Sequence, residues 1–143
     1  MRKHAFLFLL LAALLCGCKG NNLVGKWNVS GLPLPIPGAT VTSEFTSTDV
    51  FLFLEVPNFN VKQKFVGTYK MEGDTMTTNF TDMVIEGQGA QADMAKASAE
   101  MLKPQILQAL NKDPKTTIVW KDKDTFTSKS SGSNNQVTFS RIP

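Results

Sequence analysis

Asn60-Val61-Lys62-Gln63-Lys64-Phe65-Val66-Gly67-Thr68-Tyr69-Lys70-Met71, followed by Glu72-Gly73-Asp74 and then Thr75-Met76-Thr77-Thr78-Asn79-Phe80, decides the fold. In the first run Val61, Phe65, Tyr69 and Met71 lie opposite Lys62, Lys64 and Lys70, the period-two alternation of a strand with one face in a core. Glu72-Gly73-Asp74 is turn chemistry, and Thr75 to Glu86 carries Met76 and Phe80 on one side, so the pair reads as a long hairpin.

The same signature continues in both directions. Upstream, Gly25 to Ser30 places Trp27 and Val29 on one face. Thr40 to Ser47 alternates Val41, Ser43 and Phe45 with Thr40, Thr42 and Glu44, and a turn at Thr48-Asp49 leads into Val50 to Val56. The stretch Val50 to Leu54 is apolar on both faces, so its outside needs a cover. Between the first two strands, Leu32 to Pro37 has prolines at alternate positions, which forbid a ladder and give an extended loop, either a lid or a stiff connection. Downstream, Thr116 to Lys121, Asp124 to Ser128 and Gln136 to Arg141 are three further strands, the last two separated by the polar loop Lys129 to Asn135. Lys70 to Thr77 is echoed by Trp120 to Thr127, two hairpins of similar turn chemistry and not a duplicated domain.

Eight strands joined mostly by tight turns predict a mainly β chain: a single eight-stranded up-and-down antiparallel barrel that closes to hide its edges. One helical segment, Gln88 to Leu110, is inserted between strands five and six, with Ala95, Ala99, Leu102, Ile106 and Leu110 on one face. Pro104 means either a kink or two short helices meeting at Lys103. The apolar face needs a partner. Val50 to Leu54 is the natural one, and capping an open barrel end fits nearly as well.

The chain has 143 residues, two cysteines and one histidine. Residues 1–17 read as a targeting segment: basic Arg2, Lys3 and His4, the apolar run Ala5 to Leu15, then Leu15-Cys16-Gly17-Cys18. Eleven helical residues rise about 16 Å against roughly 30 Å of bilayer hydrocarbon, so the run is a signal and not a span. The order Leu-x-Gly-Cys resembles a bacterial lipobox, which implies that Cys18 is acylated and becomes the first residue of a mature lipoprotein. Under the sorting pattern of some Gram-negative bacteria, Lys19 after the cysteine implies the outer membrane. Residues 18–22 form the lipidated cysteine and a short tether, and 23–143 the folded domain. Without Arg2 and Lys3 the mature chain carries 13 basic against 12 acidic residues, which gives no reason to expect nucleic acid as a partner.

Loss of Cys16 and His4 with the signal, and acylation of Cys18, leave no thiol or imidazole for nucleophilic, general-base or zinc chemistry. The chain has no phosphate-binding loop. Its carboxylates fall mostly beside turn residues, where Asp serves local hydrogen bonding. The expectation is no enzyme, no cofactor and no metal.

Two short motifs carry a second resemblance. Leu23-Val24-Gly25-Lys26-Trp27 resembles the opening Gly-x-Trp strand of the lipocalins, and Phe139-Ser140-Arg141 resembles their closing strand. The resemblance implies a structural signature of Gly25, Trp27 and Arg141, with the arginine packed over the tryptophan at the closed end. It also implies a cavity, expected to be lined by Val29, Phe45, Phe51, Phe53, Phe65, Tyr69, Met76, Phe80, Phe126 and Phe139, unless these fill an ordinary core. The functional expectation is a lipid-anchored envelope lipoprotein whose barrel binds a small apolar ligand. The alternative is a structural or protein-interaction lipoprotein with a filled core. Partners are then the membrane, through the lipid, a small hydrophobic ligand and an envelope protein. Cys18→Ala is expected to abolish acyl incorporation and release the chain from the membrane fraction, read by labelled palmitate and by fractionation.

Overall fold

The computed structural model describes residues 21–32, 37–57 and 60–143; the expected signal, Cys18 and positions 33–36 of the proline loop lie outside the described residues. The elements are β1 (Gly25–Ser30), β2 (Thr40–Phe45), β3 (Asp49–Val56), β4 (Val61–Glu72), β5 (Thr75–Gly87), α1 (Ala90–Leu110), β6 (Lys115–Asp122), β7 (Thr125–Ser130) and β8 (Gln136–Arg141). Each strand pairs antiparallel with the next, and β8 returns to β1 through Trp27 opposite Arg141 and Val29 opposite Phe139. Eight antiparallel strands thus form one ring-like sheet, with the helix between the fifth and sixth.

Register settles which side chains enter the ring. Phe45 pairs with Val50 and Ser43 with Leu52, while Val50 pairs with Gly67 and Leu52 with Phe65, so these residues share the inner face. Gly67 is required here, because a Cβ would meet the Asn79 carbonyl oxygen at 2.5 Å where the β4–β5 register shifts.

Two expectations are corrected. Phe51 and Phe53 point outward, since the inward positions of β3 belong to Val50, Leu52 and Leu54. The doubly apolar strand is covered by lysine side chains: Lys64 Nζ lies 4.8 Å from the Phe51 ring and Lys62 Nζ 4.7 Å from the Phe53 ring. A long aliphatic stem with a charged head can roof an aromatic ring and remain hydrated, which an alternation count does not register. The helix consequently does not cover β3. It packs on β5, and it is one continuous helix through Pro104. Pro104 and Glu100 are both exposed residues, and the Glu100 carbonyl has no N–H partner four residues on.

The place of α1 follows from a shortfall in pairing. β5 pairs with β6 only over Thr75–Thr77, which would leave the rest of its edge bare. The chain from α1 to β6 supplies the missing partners. Pro114 accepts the Thr78 N–H at 3.0 Å. Asn111 accepts the Phe80 N–H through Oδ1 at 2.8 Å and donates through Nδ2 to the Phe80 carbonyl at 2.7 Å, so its side-chain amide replaces one residue of a strand. Lys103 pairs with Asp82, Lys96 Nζ donates to the Gly87 carbonyl, and Ala92 is fully buried beside Gly87. Asn111→Ala is expected to lower stability by about 1–3 kcal/mol, because two backbone groups lose their partner at once. Asn111→Asp keeps the acceptor for the Phe80 N–H but sets a carboxylate oxygen against the Phe80 carbonyl, so its urea midpoint should be no higher than that of Asn111→Ala.

Candidate functional site

The end of the ring formed by the turns at Thr46–Thr48, Gly73–Asp74 and Lys123–Asp124 is closed by side chains. Trp27 has no exposed surface, and its indole N–H donates to the Leu23 carbonyl at 2.8 Å, which seats buried Leu23 as a plug. Arg141 lies over Trp27, 4.2 Å from guanidinium carbon to ring centroid. Its two Nη groups donate to the carbonyls of Val24 at 2.9 Å and Asn22 at 2.6 Å, and its Nε lies 3.3 Å from Asp124. A planar five-donor cation can stack and reach three acceptors at once; an ammonium cannot. Gly25 makes room for this, since a Cβ there would sit 2.6 Å from Arg141 Nη1. The expected signature residues Gly25, Trp27 and Arg141 therefore meet in one place.

Of the residues expected to line a cavity, Phe45, Met76, Phe80, Phe126 and Phe139 are buried and pack the closed half. Phe126 stacks on Phe139 with centroids 4.5 Å apart and planes 8° from parallel, and Trp27 and Trp120 meet Phe126 edgewise or tilted at 4.8 and 5.0 Å. Phe45 packs against Tyr69 at 5.2 Å and Phe65 against Phe80 at 6.4 Å. Each such pair contributes about 0.5–1.5 kcal/mol beyond area burial. Phe126 has no accessible surface, Phe45 2%, Met76 5%, Phe80 7% and Phe139 8%, so little solvent-sized space adjoins them. Phe65, Tyr69 and Val29 are partly buried against this cluster. The Tyr69 hydroxyl donates to the Thr46 carbonyl at 2.7 Å, and burial raises its pKa. Among the hollows bounded by described residues, one of about 350 Å³ lies between Glu55, Asn60, Lys62 and Glu86, one of about 260 Å³ where α1 meets β5, and one of about 390 Å³ at the open end beside the inward residues Val29 and Val41.

The opposite face of α1 carries the two most exposed large hydrophobic side chains among the described residues. Met94 is 71% exposed, Met101 81% and Leu102 48%. At 100° per residue Met94, Ala97, Ser98, Met101, Gln105 and Gln108 fall on one stripe, while Asp93, Lys96, Glu100 and Lys103 gather on the flank that turns toward β5. Of the expected face, Ala95, Ala99, Ile106 and Leu110 turn toward β5, and Leu102 sits at its solvent margin.

Two residues that sequence reasoning passed over hold this region. One is Asn111, legible only as the polar residue that ends the helix. The other is Asp113, whose carboxylate accepts the hydroxyls of Ser130 at 2.7 Å and Ser131 at 3.1 Å and the Gly132 N–H at 3.1 Å, fastening the β7–β8 loop to the α1–β6 connection. Among the described residues no cluster of three or more His, Cys, Asp or Glu is placed to hold a metal ion.

Arg141→Ala is expected to cost about 2–4 kcal/mol, with Arg141→Lys recovering only a part, in urea unfolding. Hydrogen bonds from Ser130 and Ser131 hold the Asp113 carboxyl below its usual range. Its folded pKa is depressed, so its contribution is full above the unfolded value of about 3.9 and disappears as pH falls through the lower folded value. Asp113→Asn should therefore flatten the loss of stability below about pH 4, measured as unfolding midpoint against pH. No protein-family model and no curated protein matches this chain.

Proposed function

We propose that the chain is a lipid-anchored envelope lipoprotein whose lipocalin-like, up-and-down barrel is a rigid, filled stand for a protein-interaction surface on α1. The observation that carries this reading is the uncharged stripe with Met94 and Met101 at its centre, 71% and 81% exposed, on a helix whose charges all lie to one side. Unbranched, polarizable methionines suit contacts that adapt to a partner, and desolvating them costs little because no charge must be stripped of water. The partner is a protein with an apolar, uncharged contact surface in the same envelope. Cys18 supplies the anchor, and the chain needs neither cofactor nor metal for this role.

A second reading keeps the small apolar ligand. It is favoured by the inward residues Leu52, Leu54 and Phe65, which are only half-buried, Leu52 and Phe65 at the edge of the packed cluster. Native mass spectrometry of residues 21–143 after incubation with membrane lipid extract separates the two: no stoichiometric adduct is expected, and a one-to-one adduct of a single lipid class would replace the interaction reading. A photo-crosslinker at Met101 of the full chain in its own cells is expected to give one discrete protein adduct, lost in Met94→Glu. That substitution should change folding stability by no more than about 0.5 kcal/mol, as an exposed site predicts. No adduct, or an adduct indifferent to Met94→Glu, would sink the interaction reading.

A further inference from the structure

We infer that the closed end of the ring is the membrane-facing surface of this protein, and that the open end and the Met94–Met101 face are held away from the bilayer. The inference rests on the lipid anchor proposed at Cys18 and concerns what that anchor does to the fold.

The chain is fixed to the closed end from Asn22 onward. Arg141 holds the carbonyls of Asn22 and Val24, Trp27 holds that of Leu23, and the Leu23 side chain is buried in the plug. Only Lys19, Gly20 and Asn21 separate Cys18 from Asn22. Four Cα steps span at most about 14 Å. β5, the longest strand at 13 residues, extends about 40 Å along itself, or roughly 30 Å along the ring axis at the tilt usual for a closed sheet. The leash is shorter than the ring is tall, so it cannot bring the open end down to the headgroups while the closed end stands off.

Side-on docking through the wall beside the tether has no apolar side chain to hold it. The outward residues of the wall next to the tether are Lys26, Asn28 and Ser30 of β1 with Thr138 and Ser140 of β8, all polar. At the closed rim, by contrast, Val24 is 43% exposed directly beside the anchored segment. Lys123 there stands next to Asp122 and Asp124, so the rim has no local excess of charge to draw it to an anionic surface, and the leash sets the pose. β5 is four places from β1 around the ring, so α1 lies on the side opposite the tether. Its methionine stripe is thereby offered to a neighbouring protein and not to lipid.

The test uses the full lipidated chain in phosphatidylethanolamine–phosphatidylglycerol vesicles, with a fluorophore on a single introduced cysteine and nitroxide-headgroup lipid as quencher. Lys123→Cys reports the closed end, and Asn134→Cys, in the β7–β8 loop, the open end. The expected result is loss of most of the fluorescence at position 123 and none above background at 134. Equal quenching at both positions, or stronger quenching at 134, would overturn the orientation. Insertion of a long Gly-Ser repeat after Gly20 is expected to erase the difference; a difference that survives it would overturn the leash as the cause. Intact mass and flotation with the vesicles are read on the same samples. Chain that carries no acyl group and does not float removes the anchor itself, a failure distinct from that of the orientation.

Discussion

The guanidinium of Arg141 over the indole of Trp27 is the contact on which this ring depends. A closed sheet has to join its first and last strands, and here the join is made where chain separation is greatest, between Trp27 of β1 and Arg141 of β8. Five donors in one plane let the same side chain stack on the ring, reach two carbonyls of the incoming chain and face Asp124 of the β6–β7 turn. The tryptophan beneath it is fully buried against Phe126 and Trp120, so the latch is continuous with the aromatic core. Entry, exit and core are one unit, and loosening any of them exposes the others.

A second constraint acts at the other side of the ring. β5 outruns β6, and a bare edge there would be both unsatisfied and open to pairing with another chain. The helix resolves it with few contacts: a side-chain amide in place of a strand residue, a lysine on a carboxylate, a lysine on a carbonyl and an alanine against a glycine. Such an attachment occupies only the face that carries Ala92, Lys96, Lys103 and Leu110. The remaining turns of α1 are free to carry side chains for another purpose, and their lack of charge is hard to account for by solubility alone.

How far the amino-acid sequence foretold this depends on the kind of signal each part carries. Strand number, order and approximate ends were legible because alternation and turn residues are local properties, as in Lys62, Lys64 and Lys70 against Val61, Phe65 and Tyr69. The side on which a strand apolar on both faces presents its rings is not local. Phe51 and Phe53 look as inward as Leu52, and only the partners across the sheet, Val66 and Lys64, decide that they face outward beneath lysines. Placement of the helix was illegible for the same reason. It answers to how far β6 pairs with β5, a quantity fixed by register and by the Asn111 amide, and nothing in the helix itself encodes it. Gly25, Trp27 and Arg141 were singled out through a resemblance, and they do meet in one place; the closed half beside them is packed by Phe126, Phe139 and Phe45.

Under the proposed anchor at Cys18, packing of the closed half changes what the latch is for. In a hollow barrel the closed end is merely the floor of a cup, and its rigidity matters only to what the cup holds. With the closed half packed, that rigidity would instead fix direction: under the anchor proposed at Cys18, a short leash joined to a fixed first residue would transmit the plane of the membrane to the strands, and the strands would transmit it to α1. A loosely attached helix on a freely tumbling domain would sample every azimuth and tilt, and a docking partner would have to overcome that entropy on association. In that proposal, holding the domain by one end would remove much of the tilt before encounter and confine both partners to a thin layer, which would raise their effective concentration. Arg141, the side chain that closes the sheet, would then also set where the leash ends, and stability and presentation of the surface would be coupled through it.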